Sequence, residues 1–286
     1  MKKIGSIFLA FSIIFLPSAF AQVGEKTIDS ELVLVSPGMV VDWHFEDKAL
    51  LDGLYRGMLE PDETTSEHVW AGQGCINDYC FSEEGGSPDP VIQGSFLRCQ
   101  MRFFVPSDFS GEDPVSARLR IMDPSGQDFG NGMLYMMLVK PVKAYFVAGE
   151  KPVLVREIEM DGCTPGKTVS EKTLTAKTAP TIVSGNMMIP FRLLGEIIGA
   201  EVGWNNSIGE ASYIMGPKKV LLKKGIDKAR LVYPNLEKTL AMSTAPINIK
   251  GNIMVPLRFV STALGGSVEW DQFTNTAIVT FPGCSN

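Results

Sequence analysis

Residues 178–214 align with residues 244–280 without a gap, at an offset of 66, and 12 of the 37 aligned positions are identical. The shared skeleton reads Thr-Ala-Pro, Gly-Asn, Met-x-Pro-x-Arg, Gly, Val-x-Trp and Ala. A duplication constrains the fold more than composition does. The same local structure must form twice, and a unit too small to bury its own apolar face must bury it against its copy.

Each copy can be read locally. In the first, Thr181 to Ser184 is a short β-prone run, and Gly185-Asn186 supplies a turn with φ > 0 at little steric cost. Met187 to Ile189 returns as a strand. Pro190 opens a helix, where its missing N–H matters least. Phe191, Leu194, Ile197 and Ile198 fall at helical spacing and predict the buried face. Gly199 ends the helix, Glu201 to Trp204 alternates as a strand, Asn205-Asn206 turns, and Glu210 to Ile214 pairs back. The second copy repeats this with the Lys250-Gly251-Asn252 turn, Pro256 at the helix start, and Leu257, Val260 and Leu264 facing inward. Gly265-Gly266 ends that helix, Val268 and Trp270 form a strand, and Ala277 to Phe281 closes. The pattern predicts two hairpin–helix–hairpin units packed as one α+β domain over residues 150–286, anchored by Pro190, Trp204, Pro256 and Trp270.

Arg192 and Arg258 stand in the first helical turn, where the helix dipole opposes a cation. Glu196, four residues after Arg192, can pair with it for about 0.3–0.5 kcal/mol; Thr262 replaces that glutamate in the second copy. Two roles fit such an arginine. It hydrogen-bonds turn carbonyls, or it binds a carboxylate- or phosphate-bearing polymer such as a wall component.

Met188-Ile189-Pro190-Phe191-Arg192 with Gly199, Val202, Trp204 and Asn205, and Met254-Val255-Pro256-Leu257-Arg258 with Gly265, Val268, Trp270 and Asp271, resemble the tandem repeat of the copper amine oxidase N-terminal domain-like family. The resemblance covers residues 150–283. It implies a non-catalytic appendage, found in tandem in exported bacterial proteins, with a role at the surface or wall. It does not bring copper chemistry with it. That chemistry needs three imidazoles and a quinone-forming tyrosine in an Asn-Tyr-Asp/Glu setting. This chain has only His44 and His68, both outside the repeat, and no such tyrosine motif.

The N-terminal 21 residues read as a secretory signal: Lys2 and Lys3, an apolar run from Ile4 to Leu16, and Ala19-Phe20-Ala21 as the cleavage site. No later run approaches the roughly 20 apolar residues of a membrane span, so no transmembrane helix is expected after cleavage. Charge splits the rest. Residues 22–149 hold 9 Lys/Arg against 20 Asp/Glu, whereas residues 150–286 hold 15 against 12. The step argues for two modules, and the acidic front argues against nucleic acid. Export permits disulfides among Cys75, Cys80, Cys99, Cys163 and Cys284. Cys163 and Cys284 bracket the repeat as a possible pair, and the sequence alone leaves the connectivity open.

Residues 22–145 read as a β-sandwich. Leu32 to Val35, Met39 to Phe45, Phe103 to Val105, Ala117 to Ile121 and Met133 to Val139 are strand-like, with Asp123-Pro124-Ser125-Gly126 as a turn. A polar stretch over residues 57–95 interrupts them. Pro37-Gly38, Trp43-His44-Phe45, the Arg120-to-Gly130 segment and Leu134-Tyr135 resemble the four-tryptophan Ig-like domain, a protein-binding sandwich; Leu119 and Tyr135 stand where tryptophans are usual.

No nucleophile elbow, Walker loop or dinucleotide fingerprint occurs, Cys75-x4-Cys80 is too wide for a redox pair, and the histidine spacing fits no zinc motif. The reading is an exported, non-catalytic binding or structural protein of the bacterial surface or envelope. It needs no cofactor or metal, and its partner is a cell-wall polymer or an extracellular protein. The alternatives are a secreted carbohydrate hydrolase with its site in residues 57–95, and a calcium-stabilised adhesin module.

Overall fold

A computed structural model describes residues 26–47, 54–61, 70–76, 79–82, 91–93, 97–105, 114–122, 128–161 and 163–283. The signal-like segment 1–21, His68, the Asp123-to-Gly126 turn and Cys284 lie outside the described residues. The described chain is β-rich, with two short helices.

The front strands are β1 (Lys26–Val35), β2 (Val40–Asp47), β3 (Leu54–Pro61), β4 (Trp70–Ile76), β5 (Tyr79–Ser82), β6 (Val91–Gln93), β7 (Leu97–Phe104), β8 (Val115–Met122) and β9 (Asp128–Leu138). They form two sheets, ordered β1-β9-β8-β3-β6 and β2-β7-β4-β5. The polar stretch 57–95, expected to interrupt the strands, carries most of β3 and all of β4, β5 and β6. The alternation of short β-prone runs with polar residues in this stretch therefore encodes strands and not one insert. In the β4–β5 hairpin Cys75 lies across from Cys80.

The next strands are β10 (Val142–Val147), β11 (Pro152–Asp161) and β12 (Thr164–Thr175), a three-strand meander. The first repeat unit follows: β13 (Thr181–Val183), β14 (Asn186–Pro190), α1 (Phe191–Ile198), β15 (Glu201–Asn205) and β16 (Glu210–Met215). A second meander comes next, β17 (Lys218–Lys223), β18 (Lys228–Tyr233) and β19 (Leu236–Ala241). The second unit closes the chain: β20 (Ile247–Ile249), β21 (Asn252–Pro256), α2 (Leu257–Ala263), β22 (Ser267–Asp271) and β23 (Thr276–Phe281). Both units have the hairpin–helix–hairpin form that the repeat predicts.

The duplication is larger than the aligned segment. Lys218 and Met215 are partners across β17 and β16, and Val142 and Phe281 are partners across β10 and β23. The meanders therefore correspond at an offset of 76, while the units correspond at 66. Hydrogen bonds repeat at the same offsets. Gly149 N–H donates to Pro180 O at 2.7 Å and Gly225 N–H to Pro246 O at 2.9 Å; Ala176 N–H donates to Lys151 O and Met242 N–H to Asp227 O, both at 2.8 Å. The two five-stranded sheets have equivalent orders, β12-β11-β10-β23-β22 and β19-β18-β17-β16-β15. Between them lies the sheet β13-β14-β21-β20, where Met188 faces Pro256, Ile189 faces Val255 and Pro190 faces Met254. This pairing maps onto itself when the copies are exchanged, so a pseudo-twofold axis passes between Ile189 and Val255. The module boundary expected between 145 and 150 falls across β10, which belongs by its pairing to the repeat.

Local chemistry explains the elements. The hairpin loops are Ser184-Gly185 and Lys250-Gly251, with both residues of each at φ between 49° and 81°. These are the primed turns that match strand twist; Asn186 and Asn252, expected in the turns, begin the next strands instead. In α1 the buried residues are Phe191, Leu193, Leu194, Gly195 and Ile197, so Leu193 takes the place expected for Ile198. In α2 Leu257, Val260 and, just beyond it, Leu264 are buried as the spacing predicts.

One apolar core runs through both copies and into the front strands: Leu32 and Leu34 of β1 share it with Phe146, Val155, Leu194, Val220, Leu231, Val260 and Val279. At the same joint Tyr135 stacks on Tyr233, with ring centroids 6.5 Å apart, and the Lys238 ammonium pairs with Asp29.

Candidate functional site

The pseudo-twofold axis relates two clefts. Each takes a helix entrance and a tryptophan from one unit and the hairpin turn from the other. The first holds Pro190, Phe191, Arg192 and Trp204 against Gly251 and Asn252, with a volume of about 490 Å³. The second holds Pro256, Leu257, Arg258 and Trp270 against Gly185 and Asn186, with a volume of about 260 Å³. The structure thus brings each predicted Pro, Arg and Trp triple together in one cleft. Each proline, expected as the first helical residue, instead ends the preceding strand as the N-cap at a cleft wall, with ψ of 125° at Pro190 and 115° at Pro256, and the arginine two residues on stands exposed at the opening.

The local geometry differs between copies. Arg192 does not pair with Glu196; its guanidinium lies 5.0 Å from the centre of the Phe191 ring, a cation–π placement that offers stabilisation without fixing the donors. Leu257 stands where Phe191 does, and Arg258 Nη1 donates to Val268 O at 2.8 Å. Of the two roles weighed for these arginines, bonding to a backbone carbonyl is therefore seen in the second copy. Trp204 is half-buried and tilted 47° against Phe191 at 6.2 Å. Trp270 is 40% exposed, so it is not a core anchor; the smaller Leu257 replaces the phenyl ring that backs Trp204. Behind the first cleft the Tyr213 hydroxyl donates to Phe191 O, and its burial pushes its pKa up. This buried tyrosine fixes the strand-to-helix corner where Arg192 starts.

Two residues in or beside the clefts, Lys177 and Ser243, had no signal in the sequence reading. Lys177 and Glu196 join the first cleft. Ser243, the counterpart of Lys177, bonds through Oγ to Asn186 Oδ1 at 2.6 Å beside the second. The offset of 66 could have flagged the Lys177/Ser243 difference one position ahead of the aligned segment.

Among the described residues no group of three or more His, Cys, Asp or Glu stands close enough to hold a metal ion, and no helix is long and apolar enough to cross a membrane. Cys163, at the tip of the β11–β12 hairpin, is disulfide-bonded.

Fold and clefts together define a duplicated hairpin–helix–hairpin domain with paired, two-fold related openings. A family model, copper amine oxidase N-terminal domain, matches residues 168–279, the part of the chain that carries both units. No curated protein matches the chain. Solved structures overlap it loosely. The N-terminal domain of PorA matches at 12% identity over 40% of this chain and 89% of its own, with a TM-score of 0.28. The sialic acid binding region of a Streptococcus sanguinis adhesin matches at 11% over 78% and 74%, with 0.26. The C-terminal domain of the Streptococcus agalactiae AgI/II polypeptide BspA matches at 9% over 81% and 96%, with 0.23. Overlaps this loose define neither a shared fold nor a shared ligand.

Proposed function

We propose that this chain is an exported, non-catalytic binding protein of the bacterial envelope, and that its duplicated domain takes a wall polymer or an extracellular protein in its clefts. One observation carries the reading: an exposed arginine, a partly exposed tryptophan and a backbone turn from the opposite copy converge at an open cleft, twice. A planar guanidinium suits carboxylate or phosphate, and a tryptophan ring supplies rigid apolar area beside it. The signal-like N-terminus supports export. Export in turn supports the disulfide of Cys163, for which Cys284 is the proposed partner. The two front sheets fit an Ig-like sandwich that presents or contacts a second partner.

The test is a pull-down of residues 22–286 on purified cell wall and on immobilised extracellular protein. Binding is expected to fall at least about tenfold, as for loss of an interface hot spot, when Arg192 and Arg258 are both changed to Ala. Retention of full binding by that double variant, or release of soluble sugar from the wall by the native chain, would count against the reading.

A further inference from the structure

The pseudo-twofold relation supplies an internal comparison, because each cleft residue has a counterpart 66 positions away. Resting on the proposal that the clefts bind, we infer that the Arg192 cleft alone is a ligand site, that its ligand is an anionic saccharide, and that the Arg258 cleft has become structural.

Three differences point the same way. The first is how the arginine is used. Arg258 donates to Val268 O at 2.8 Å and helps hold α2 to β22. Arg192 makes no hydrogen bond or ion pair among the described residues and only lies over Phe191. Its fork of donors is available to a ligand.

The second is the opposing turn. In the Arg258 cleft Asn186 is locked: Ser243 Oγ donates to its Oδ1 at 2.6 Å, and its Nδ2 donates to Thr244 Oγ1 at 2.7 Å. In the Arg192 cleft Asn252 reaches only the carbonyl of its own turn, Lys250 O, at 3.3 Å. The position of Ser243 is here the exposed Lys177, whose ammonium adds a second cation in place of an internal lock.

The third is size. The Arg192 cleft, at about 490 Å³, falls within the roughly 300–1,000 Å³ typical of ligand pockets, and the other cleft, at about 260 Å³, falls below it.

The ligand class follows from the side chains. Arg192 and Lys177 together call for a carboxylate or phosphate. Glu196, where the other copy has Thr262, accepts hydrogen bonds from hydroxyls and rejects a ligand whose charge lies on that side. Trp204 offers an apolar plate to the C–H face of a sugar ring. An acid group, hydroxyls and an apolar face in one small ligand describe a uronate or a phosphorylated sugar, free or within a polymer.

Isothermal titration of residues 22–286 separates the sources with three probes: an oligogalacturonate for carboxylate, a phosphorylated oligomannoside for phosphate, and galactotriose as the neutral control. The expected result is one site per chain for an anionic probe and no heat with the neutral one. R192A and K177S should each weaken binding about tenfold or more. K177S changes an exposed side chain, so its loss of binding cannot be blamed on unfolding. R258A should register as a lower melting temperature. Two equivalent sites, or equal weakening by R258A and R192A, would overturn the divergence and leave the clefts as binding sites. Equal binding of galactotriose would overturn the anionic assignment. Wall capture with no response to any probe would overturn the saccharide class alone. Failure to bind both the wall and all three probes would overturn the binding proposal itself.

Discussion

Lys218 shows what it costs to bury a single charge where the repeat meets the front strands. It is 6% exposed on β17, with its ammonium 5.7 Å from the centre of the Tyr233 ring of β18. Burial lowers its pKa from 10.5 to about 8; Glu31 of β1 pulls the other way and Lys238 of β19 adds to the fall. Lys238 is itself paired with Asp29, and Arg258 lines the same apolar pocket as Lys218. The folded pKa lies below the unfolded one, so the unfolded chain binds the extra proton between about pH 8 and 10.5. Stability linked to this group is therefore lowest below pH 8 and rises as pH climbs through that window. The full difference is worth about 3 kcal/mol at most. Lys218→Met should raise the melting temperature at pH 7, and the gain over the native chain should shrink toward pH 10.5. A gain that stays constant from pH 7 to 10.5 would show that no buried charge was removed.

At the scale of elements, the two helices test how tightly a copy can pack. Gly195 sits on the buried face of α1, and a Cβ there would fall on Val202 Cγ1 of β15. Valine is stiff at χ1 and cannot swing away. The counterpart of Gly195 in α2 is Ser261, fully buried, so the second helix already accommodates a Cβ at this position. Gly195→Ala gains up to about 1 kcal/mol of helix propensity but forces overpacking that costs about 1–3 kcal/mol. A lower denaturation midpoint with an unchanged slope is the expected outcome; a higher midpoint would mean that β15 yields. The units themselves were legible in the sequence because their punctuation is steric. Gly199 at φ 73° and Gly265 at φ 86° end the helices where the pattern predicts. The meanders were not legible as copies. Between Val142 and Val155 only Lys143 and Gly149 match their partners Lys219 and Gly225, since inward positions need only be apolar. The β11–β12 arm is also ten residues longer than β18–β19, which shifts the offset from 66 to 76 and breaks an ungapped alignment. Those extra residues leave Thr164 to Thr173 exposed, with Arg156 and Glu171 bridging the arm at 2.8 Å. The clefts were legible only as their Pro-Arg-Trp halves. Their other walls come from the opposite copy, and a pattern within one copy cannot reveal which loop its partner brings.

For the whole molecule, the decisive feature is how the ring of two copies closes. β16 and β17 are neighbours in sequence, joined through Gly216 at φ 51°. Their symmetry equivalents, β23 and β10, are the last and first strands of the repeat, and they pair over six positions. The front strands therefore enter at the one break in the ring, through Val139-Lys140-Pro141. There Val139 N–H donates to Val35 O at 3.0 Å, and Leu34 approaches Gly265 so closely that an added Cβ would lie 3.0 Å from its Cγ. Leu34 is 1% exposed and belongs to the same core as Val142, Val279 and Phe281. A charge step between two halves of a chain suggests separable modules, but a shared apolar core couples their unfolding. Residues 22–286 should accordingly melt in one transition, with calorimetric and van't Hoff enthalpies in agreement. Leu34→Ala removes a fully buried side chain at the joint and should cost about 2–5 kcal/mol. Val279→Ala, on β23, should move that same transition. Two resolved transitions, with Leu34→Ala shifting only one, would mean that the front strands rest on the repeat without sharing its core.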